Sequence, residues 1–382
     1  MLCAVCKGKR LCGLDRCPIV ARFSAGVNAG PVSEYSGKAP SVFVGSSGYP
    51  AVRGGPLLTA DPDNPPAWID QQLGIGDIVA LRARTIRGLS PLSVHLDPVR
   101  EIALSSRPVD VEVGFERPVR FNLDFDGIMA PVGMSGPLSR IEVTGNPVVE
   151  RVVDRVVSDT DLPAGEACTV LHSSGIEVYR IIPLMTAGLL GRKRTVVPTR
   201  WAITAVDDTL STAQKHEIAG NPPIGGIRIY SSELFANRIA VILIPGDWRF
   251  EMIERWGEGS LWSGGAETIV SDGEGLRKSG YSPITGAYYS ARLAVTGFLE
   301  KTGRSARAIV IRNVGSGYWA PLGTWVVREA ARAAMAGEPR EAATLDEAVE
   351  VAATFTRFPH WARHSTLLRM IRTQRTLAEF LS

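Results

Sequence analysis

The stretch Tyr288-Tyr-Ser-Ala-Arg-Leu-Ala-Val-Thr-Gly-Phe-Leu-Glu-Lys301 is closely followed by Ala308-Ile-Val-Ile-Arg312. In the first, Leu293, Val295, Phe298 and Leu299 recur at helical spacing. The second is a short β-branched run, which predicts a strand. Downstream, residues 324–336 read as an Ala-rich helix. Thr344-Leu-Asp-Glu347 has the form of a capping box and opens another helix. A last helix is expected to begin near Ser365. Upstream, strand-like runs lie at residues 78–83, 109–114, 177–182, 201–206, 227–231 and 239–244. Residues 41–50 read as a short strand entering a Gly-rich turn, within an otherwise loop-rich segment from 23 to 75. The expected fold is α+β, with mixed sheets, Gly/Pro-rich turns and a helical C-terminal region. The Gly- and Ser-rich segment 261–287 is the best internal boundary. It separates a region 23–265 from a helix-rich region 266–365, with a small module at 1–22 and a basic tail at 366–382.

Composition is that of a chain able to bury a core. Of 382 residues, 45% are apolar and 21% charged, which excludes wholesale disorder. Gly (39) and Pro (25) are numerous enough to predict many turns. The net charge is only +3, but it is unevenly placed. Residues 1–22 carry Lys7, Lys9, Arg10, Arg16 and Arg22 against Asp15. Residues 357–382 carry Arg357, Arg363, Arg369, Arg372 and Arg375 against Glu379. Both ends are basic and the body between them is mildly acidic, a pattern suited to nucleic acid or an acidic protein surface. The longest strongly apolar run, residues 239–244, is far shorter than the ~20 residues of a membrane span. The N-terminus lacks the apolar core of a signal peptide. The expected location is therefore cytoplasmic, where thiols stay reduced and clustered cysteines favour metal over disulfides.

Four of the five cysteines fall at Cys3, Cys6, Cys12 and Cys17. The Cys3-x2-Cys6 pair can turn two sulfurs to one ion, and Gly8 and Gly13 permit the tight turns around them. Four thiolates close a tetrahedral Zn²⁺ shell, so the site reads as structural, with the metal supplying much of the module's folding energy. An iron–sulfur cluster is the alternative. Cys17-Pro18 is in keeping with ferredoxin-type runs, whereas the other spacings are not.

The chain closes on Gln374-Arg-Thr-Leu377-Ala-Glu-Phe380-Leu381-Ser382. This resembles the peptide with which replication and repair proteins bind the sliding clamp, PCNA. In one 3₁₀ turn, Leu377, Phe380 and Leu381 would form an apolar plug, with Gln374 reaching a polar pocket beside it. Leu381 stands where such peptides usually carry a second aromatic. The competing reading is the last turn of an amphipathic helix.

The two ends and the segments between them resemble the archaeal Nre family. The resemblance rests on Cys3-x2-Cys6-x-Gly8, Leu11-Cys-Gly13 and Cys17-Pro18. It rests also on Phe43-Val-Gly45, Gly48-Tyr-Pro50 and Gly55-Pro56, and on the segments 197–208, 286–295 and 318–329. It implies an archaeal DNA-repair protein that works with the sliding clamp, alone or with other repair proteins, and an N-terminal region followed by a smaller C-terminal one. It assigns no catalytic residue.

Within the body, Arg192-Lys193-Arg194 and Arg200 form a basic strip suited to phosphate contact. Asp207-Asp208 follows a run read as a strand. Paired carboxylates there would suit Mg²⁺ or Mn²⁺ in a metal-dependent nuclease, the alternative function. A β-turn is the plainer reading of the pair. Glu251 and Glu254, at helical spacing, read as an exposed acidic helix face, with further metal ligation as the alternative, and His172 reads as a weak candidate base beside Cys168. His360 and His364 read as part of a basic face. Tyr288, Tyr289, Tyr318 and Trp319 belong to the core, unless exposure beside Arg292 or Arg312 frees them to stack on bases. Gly45-Ser-Ser-Gly48 lacks the Lys and spacing of a P-loop. A third functional reading is an RNA-associated zinc protein.

Overall fold

The computed structural model describes residues 30–120, 133–258, 260 and 266–373. The chain divides into two compact units. One runs to Leu210 and adds Ala320–Gly323. The other comprises Ser211–Trp319 and the residues from Thr324 onward. This division falls well ahead of the Gly/Ser-rich segment.

In the unit that ends at Leu210, the strands are β1 (Val32–Ala39), β2 (Ser41–Val44), β3 (Arg53–Leu58), β4 (Ile86–Pro91), β5 (Val109–Val119) and β6 (Ser135–Val143). They form one sheet in the order β1-β5-β6-β4-β3-β2. Only β4 and β6 run parallel. Along β5, Val109, Val111, Val113 and Phe115 are buried, while Asp110 and Glu112 are exposed. That alternation marks a sheet with one face packed and one face wet. The helices are α1 (Pro65–Asp70), α2 (Ile75–Arg84), α3 (Leu92–Leu104), α4 (Arg151–Ser158), α5 (Ala164–Ser173) and α6 (Val178–Thr186). A long helix, α7 (Thr199–Ile218), contains the division between the units. Helix α3 packs on β2, β3 and β6.

The other unit holds β7 (Ile227–Leu234), β8 (Asn237–Ile244), β9 (Arg249–Trp256), β10 (Thr268–Glu274), β11 (Arg307–Val314) and β12 (Arg340–Ala342). Their order is β10-β9-β11-β8-β7-β12, with β9 and β11 parallel. Besides the part of α7 from Ser211, its described α-helices are α8 (Gly286–Thr302), α9 (Trp325–Ala336), α10 (Leu345–Thr356) and α11 (Thr366–Thr373). Here both sheet faces are covered. Ile239, Val241 and Leu243 of β8 join a core with Tyr288, Val295 and Leu299 of α8 and with Val327 and Ala331 of α9. The alternate residues Ala240, Ile242 and Ile244 join Ala348 and Ala352 of α10 and Leu367 and Leu368 of α11. A strand buried on both sides must be apolar throughout, which is why residues 239–244 form an unbroken run.

The α+β class and mixed sheets expected from sequence are those observed. The helices predicted at 288–301, 324–336 and after Ser365 are α8, α9 and α11. At α10, Thr344 Oγ1 accepts the Glu347 N–H at 3.1 Å, while Glu347 Oε2 accepts the N–H of Ala343 at 2.9 Å. The return bond of the expected capping box thus lands one residue early.

Three predicted strands are helices. Residues 78–83 lie in α2, 177–182 at the start of α6 and 201–206 in α7. In α2, Ile75, Ile78, Val79 and Ala83 are buried at helical spacing, and Asp77 Oδ2 accepts the N–H of Gly74 at 2.9 Å to start the helix. Short apolar runs do not distinguish the two periods, and tertiary burial decided them. The segment expected to be loop-rich holds β1 to β3 and α1 within its described part.

Candidate nucleic-acid interface

The basic segment 192–194 follows a tight backbone reversal. Gly188 has a φ of +66°, and a Cβ there would lie 2.7 Å from the carbonyl oxygen of Arg194. Only glycine allows the chain to return so closely. Arg194 itself adopts a left-handed φ of +48°. Its guanidinium donates to the carbonyls of Leu189, Val157 and Asp159. Arg100 in turn donates from Nη2 to the Arg194 carbonyl at 3.2 Å. Arg194 therefore ties its loop to the C-terminal end of α4 and holds few N–H groups free for phosphate. Arg192 is exposed and donates from Nε to the Asp161 carbonyl at 2.6 Å. Lys193 is exposed, as is Arg200 in the first turn of α7. Of the four basic residues, Arg192, Lys193 and Arg200 present charge to solvent.

Asp207 and Asp208 sit neither after a strand nor in a β-turn. They lie mid-way along α7, with Asp207 fully buried and Asp208 half-buried. Adjacent helical side chains leave the axis about 100° apart, so the pair does not converge as two carboxylates around one ion would. Among the described residues, no three His, Cys, Asp or Glu side chains gather into a potential metal site.

Glu251 and Glu254 are also relocated. Both lie on β9 and are buried, not on an exposed helical face. Glu254 accepts an ion pair from Arg312 of β11, and the Trp256 indole donates to it at 2.7 Å. Arg312 also donates from Nε to Asn237 Oδ1 at 3.1 Å. Glu251 serves helix α11. Its Oε1 accepts the N–H of Thr366 at 2.7 Å and of Leu367 at 3.2 Å, and its Oε2 accepts the Ser365 hydroxyl. Burial pushes its carboxyl above the usual range, and the hydrogen bonds from Ser365, Thr366 and Leu367 partly offset this.

A second ionic cluster lies between β10, α8 and the C-terminal half of α7. Arg292 donates to both oxygens of Glu274, at 2.9 and 2.8 Å, and both side chains are completely buried. Lys215 reaches the same carboxylate at 2.9 Å. Arg292 Nε also donates to the Ser211 hydroxyl at 3.0 Å. Tyr288, Tyr289 and Tyr318 are buried against such groups, so they belong to the core.

Cys168 is fully buried on α5, and burial pushes its thiol up to about 12. With no thiolate near neutral pH, it is not a nucleophile partnered by His172, one turn on. His364 packs its ring 5.9 Å from that of Phe358, and His360 precedes the 3₁₀ turn Trp361–His364. The proposed metal ligands Cys3, Cys6, Cys12 and Cys17 lie outside the described residues, as do the clamp-peptide residues Gln374, Leu377, Phe380 and Leu381.

Comparison with known proteins places this architecture. The family model for archaeal Nre, N-terminal, matches residues 11–263, and that for archaeal Nre, C-terminal, matches residues 274–380. The chain belongs to the archaeal Nre family. Two Archaeoglobus fulgidus relatives cover it almost end to end. It is 34% identical to the DNA repair protein NreA, over 99% of this chain and 98% of the relative. It is 35% identical to the DNA repair protein NreB, over the full length of both. A Haloferax volcanii DNA repair protein NreA is 37% identical over 83% of this chain and 81% of its own. No solved structure matches.

For this Nre chain, sequence reading missed two arrangements. One is the capping of α11 by Glu251, which no local pattern announces because the partners are more than a hundred residues apart. The other is the exposed ring pair Tyr49–Trp201, in which a strand assignment for 201–206 hid the tryptophan at a helix start. No described helix is long and apolar enough to cross a membrane.

Proposed function

We propose that this Nre chain is a DNA-repair factor recruited by the sliding clamp. The clamp (PCNA) is met through Gln374, Leu377, Phe380 and Leu381. The N-terminal Cys3, Cys6, Cys12 and Cys17 hold a structural Zn²⁺, a role that suits four thiolates with no position left open for substrate. DNA is met through the exposed charge of Arg192, Lys193 and Arg200. The observation that carries this reading is the end-to-end relationship to proteins named as DNA repair proteins. The Gln-x2-Leu-x2-Phe-Leu pattern adds the partner.

The nuclease alternative gains nothing from the divergent, part-buried Asp207 and Asp208. The test is a pull-down with the purified clamp. Full-length protein is expected to be retained and protein lacking residues 374–382 lost. Equal retention of both overturns clamp recruitment through this peptide. Elemental analysis of purified protein is expected to give zinc, lost in the Cys3→Ser, Cys6→Ser double variant.

A further inference from the structure

Two segments far apart in sequence meet on the unit that ends at Leu210. The hairpin joining β2 to β3 is closed by Gly45 N–H donating to the Arg53 carbonyl at 2.9 Å. Its base is pinned to α7, because the Val44 N–H donates to Thr199 Oγ1 at 2.9 Å. The hairpin tip then sets the Tyr49 ring against the Trp201 ring. Their centroids are 5.0 Å apart and their planes meet at 61°. Both residues are 43% exposed. Trp201 is the most exposed tryptophan among the described residues.

An edge-to-face pair contributes little that burial would not contribute more. Two large rings held open by a defined hydrogen bond are instead suited to contact. In an edge-to-face pair at least one ring keeps an open face. The flanking charge says what it would contact. Arg200 precedes Trp201 and Arg53 stands at the hairpin base. Both are exposed and neither makes an ion pair among the described residues; Arg53 donates only a long bond, 3.4 Å, from Nη2 to the Leu89 carbonyl. Aromatic faces with unneutralised guanidinium groups beside them match stacked bases on a phosphate chain. Base faces are open to such rings only where bases are unpaired.

We infer that Tyr49 and Trp201 form a stacking platform for unpaired bases of single-stranded DNA, with Arg53 and Arg200 contacting the adjoining phosphates. This deepens the proposed function and rests on its claim that the protein meets DNA. The platform lies at Tyr49 and Trp201, not at the Tyr288–Tyr289 or Tyr318–Trp319 pairs, whose tyrosines are buried.

The test is fluorescence anisotropy of a labelled oligothymidylate with full-length protein, beside a labelled duplex of equal length. Trp201→Ala is expected to weaken single-strand binding about tenfold, the loss of one stacked base, while Trp201→Phe retains most of it. Tyr49→Ala is expected to weaken it less, and Trp319→Ala to leave it unchanged. Duplex affinity is expected to stay within about twofold throughout. Thermal melting confirms that each variant is folded. Wild-type protein that binds DNA, with a folded Trp201→Ala variant that binds the single strand equally, overturns the platform but leaves DNA binding standing. Wild-type protein that binds neither DNA overturns both.

Discussion

The buried carboxylate of Glu251 on β9 accepts the backbone N–H of Thr366 at 2.7 Å, so a strand of the sheet beneath it caps helix α11. An N-cap ordinarily comes from the residue next to the helix. Ser365 occupies that place and its hydroxyl accepts the Leu368 N–H at 2.9 Å. Glu251 then satisfies Ser365 itself together with the N–H groups of Thr366 and Leu367. Glu251→Ala removes all of these acceptors from a dry site. It is expected to lower unfolding free energy by about 2–4 kcal/mol, read from urea denaturation. Clamp retention of the folded fraction is expected to persist, since the tail peptide is intact.

The same residue gives a pH dependence. Its carboxyl is held above the ordinary range chiefly by burial. Raised in the folded state, it contributes stability that is present below the unfolded value and lost as pH rises through the folded one. Wild-type stability is expected to decline across the pH range just above that of an ordinary glutamate. The decline is expected to be shallower in Glu251→Gln. Parallel stability-versus-pH curves for the two proteins would refute the assignment.

Arg292 and Glu274 form a completely buried bidentate pair that Lys215 joins. Removing Arg292 leaves the buried Glu274 with Lys215 as its remaining ion-pair partner among the described residues. Arg292→Met is expected to cost about 3 kcal/mol in chemical denaturation, the low end for breaking a buried pair. Arg292→Lys is also expected to destabilise, since Arg292 reaches Glu274 through Nη1 and Ser211 through Nε, and one ammonium does not span both.

The basic strip is expected to separate into two roles. Arg194→Ala removes donors to three backbone carbonyls and is expected to lower the melting temperature by several degrees, an effect of about 1–3 kcal/mol. Lys193→Ala and Arg200→Ala are expected to leave melting unchanged. Each is expected to reduce the salt dependence of DNA binding by about one counterion.

Cys168 is expected to resist alkylation at pH 8 in the folded protein, because its thiol is pushed up to about 12 and has no exposed surface. Peptide mapping after iodoacetamide treatment checks this. Modification of Cys168 is expected only once denaturant is added.

Some of this was legible in the residues alone. The run at 239–244 reads as a strand from its β-branched residues, and its coverage on both faces, which an unbroken apolar run fits, emerged from the packing of helices on either side. The periodic, Ala-rich segment at 324–336 had to be a helix, and Thr344 had to start one. The cysteine spacing and the Gln374 to Leu381 pattern are expectations from short-range order alone, and both lie outside the described residues. What one dimension could not decide was burial. Residues 78–83 and 201–206 fit a strand as well as a helix until their packing partners are known. Asp207, Glu251 and Glu254 look like surface carboxylates until the fold removes water from them. Tyr49 and Trp201 look like two unrelated aromatics until a hydrogen bond from Val44 to Thr199 brings their rings together. Local geometry is set by neighbours in the chain. Solvation, and with it the charge and chemistry of a side chain, is set by neighbours in space, and only the tertiary structure assigns those.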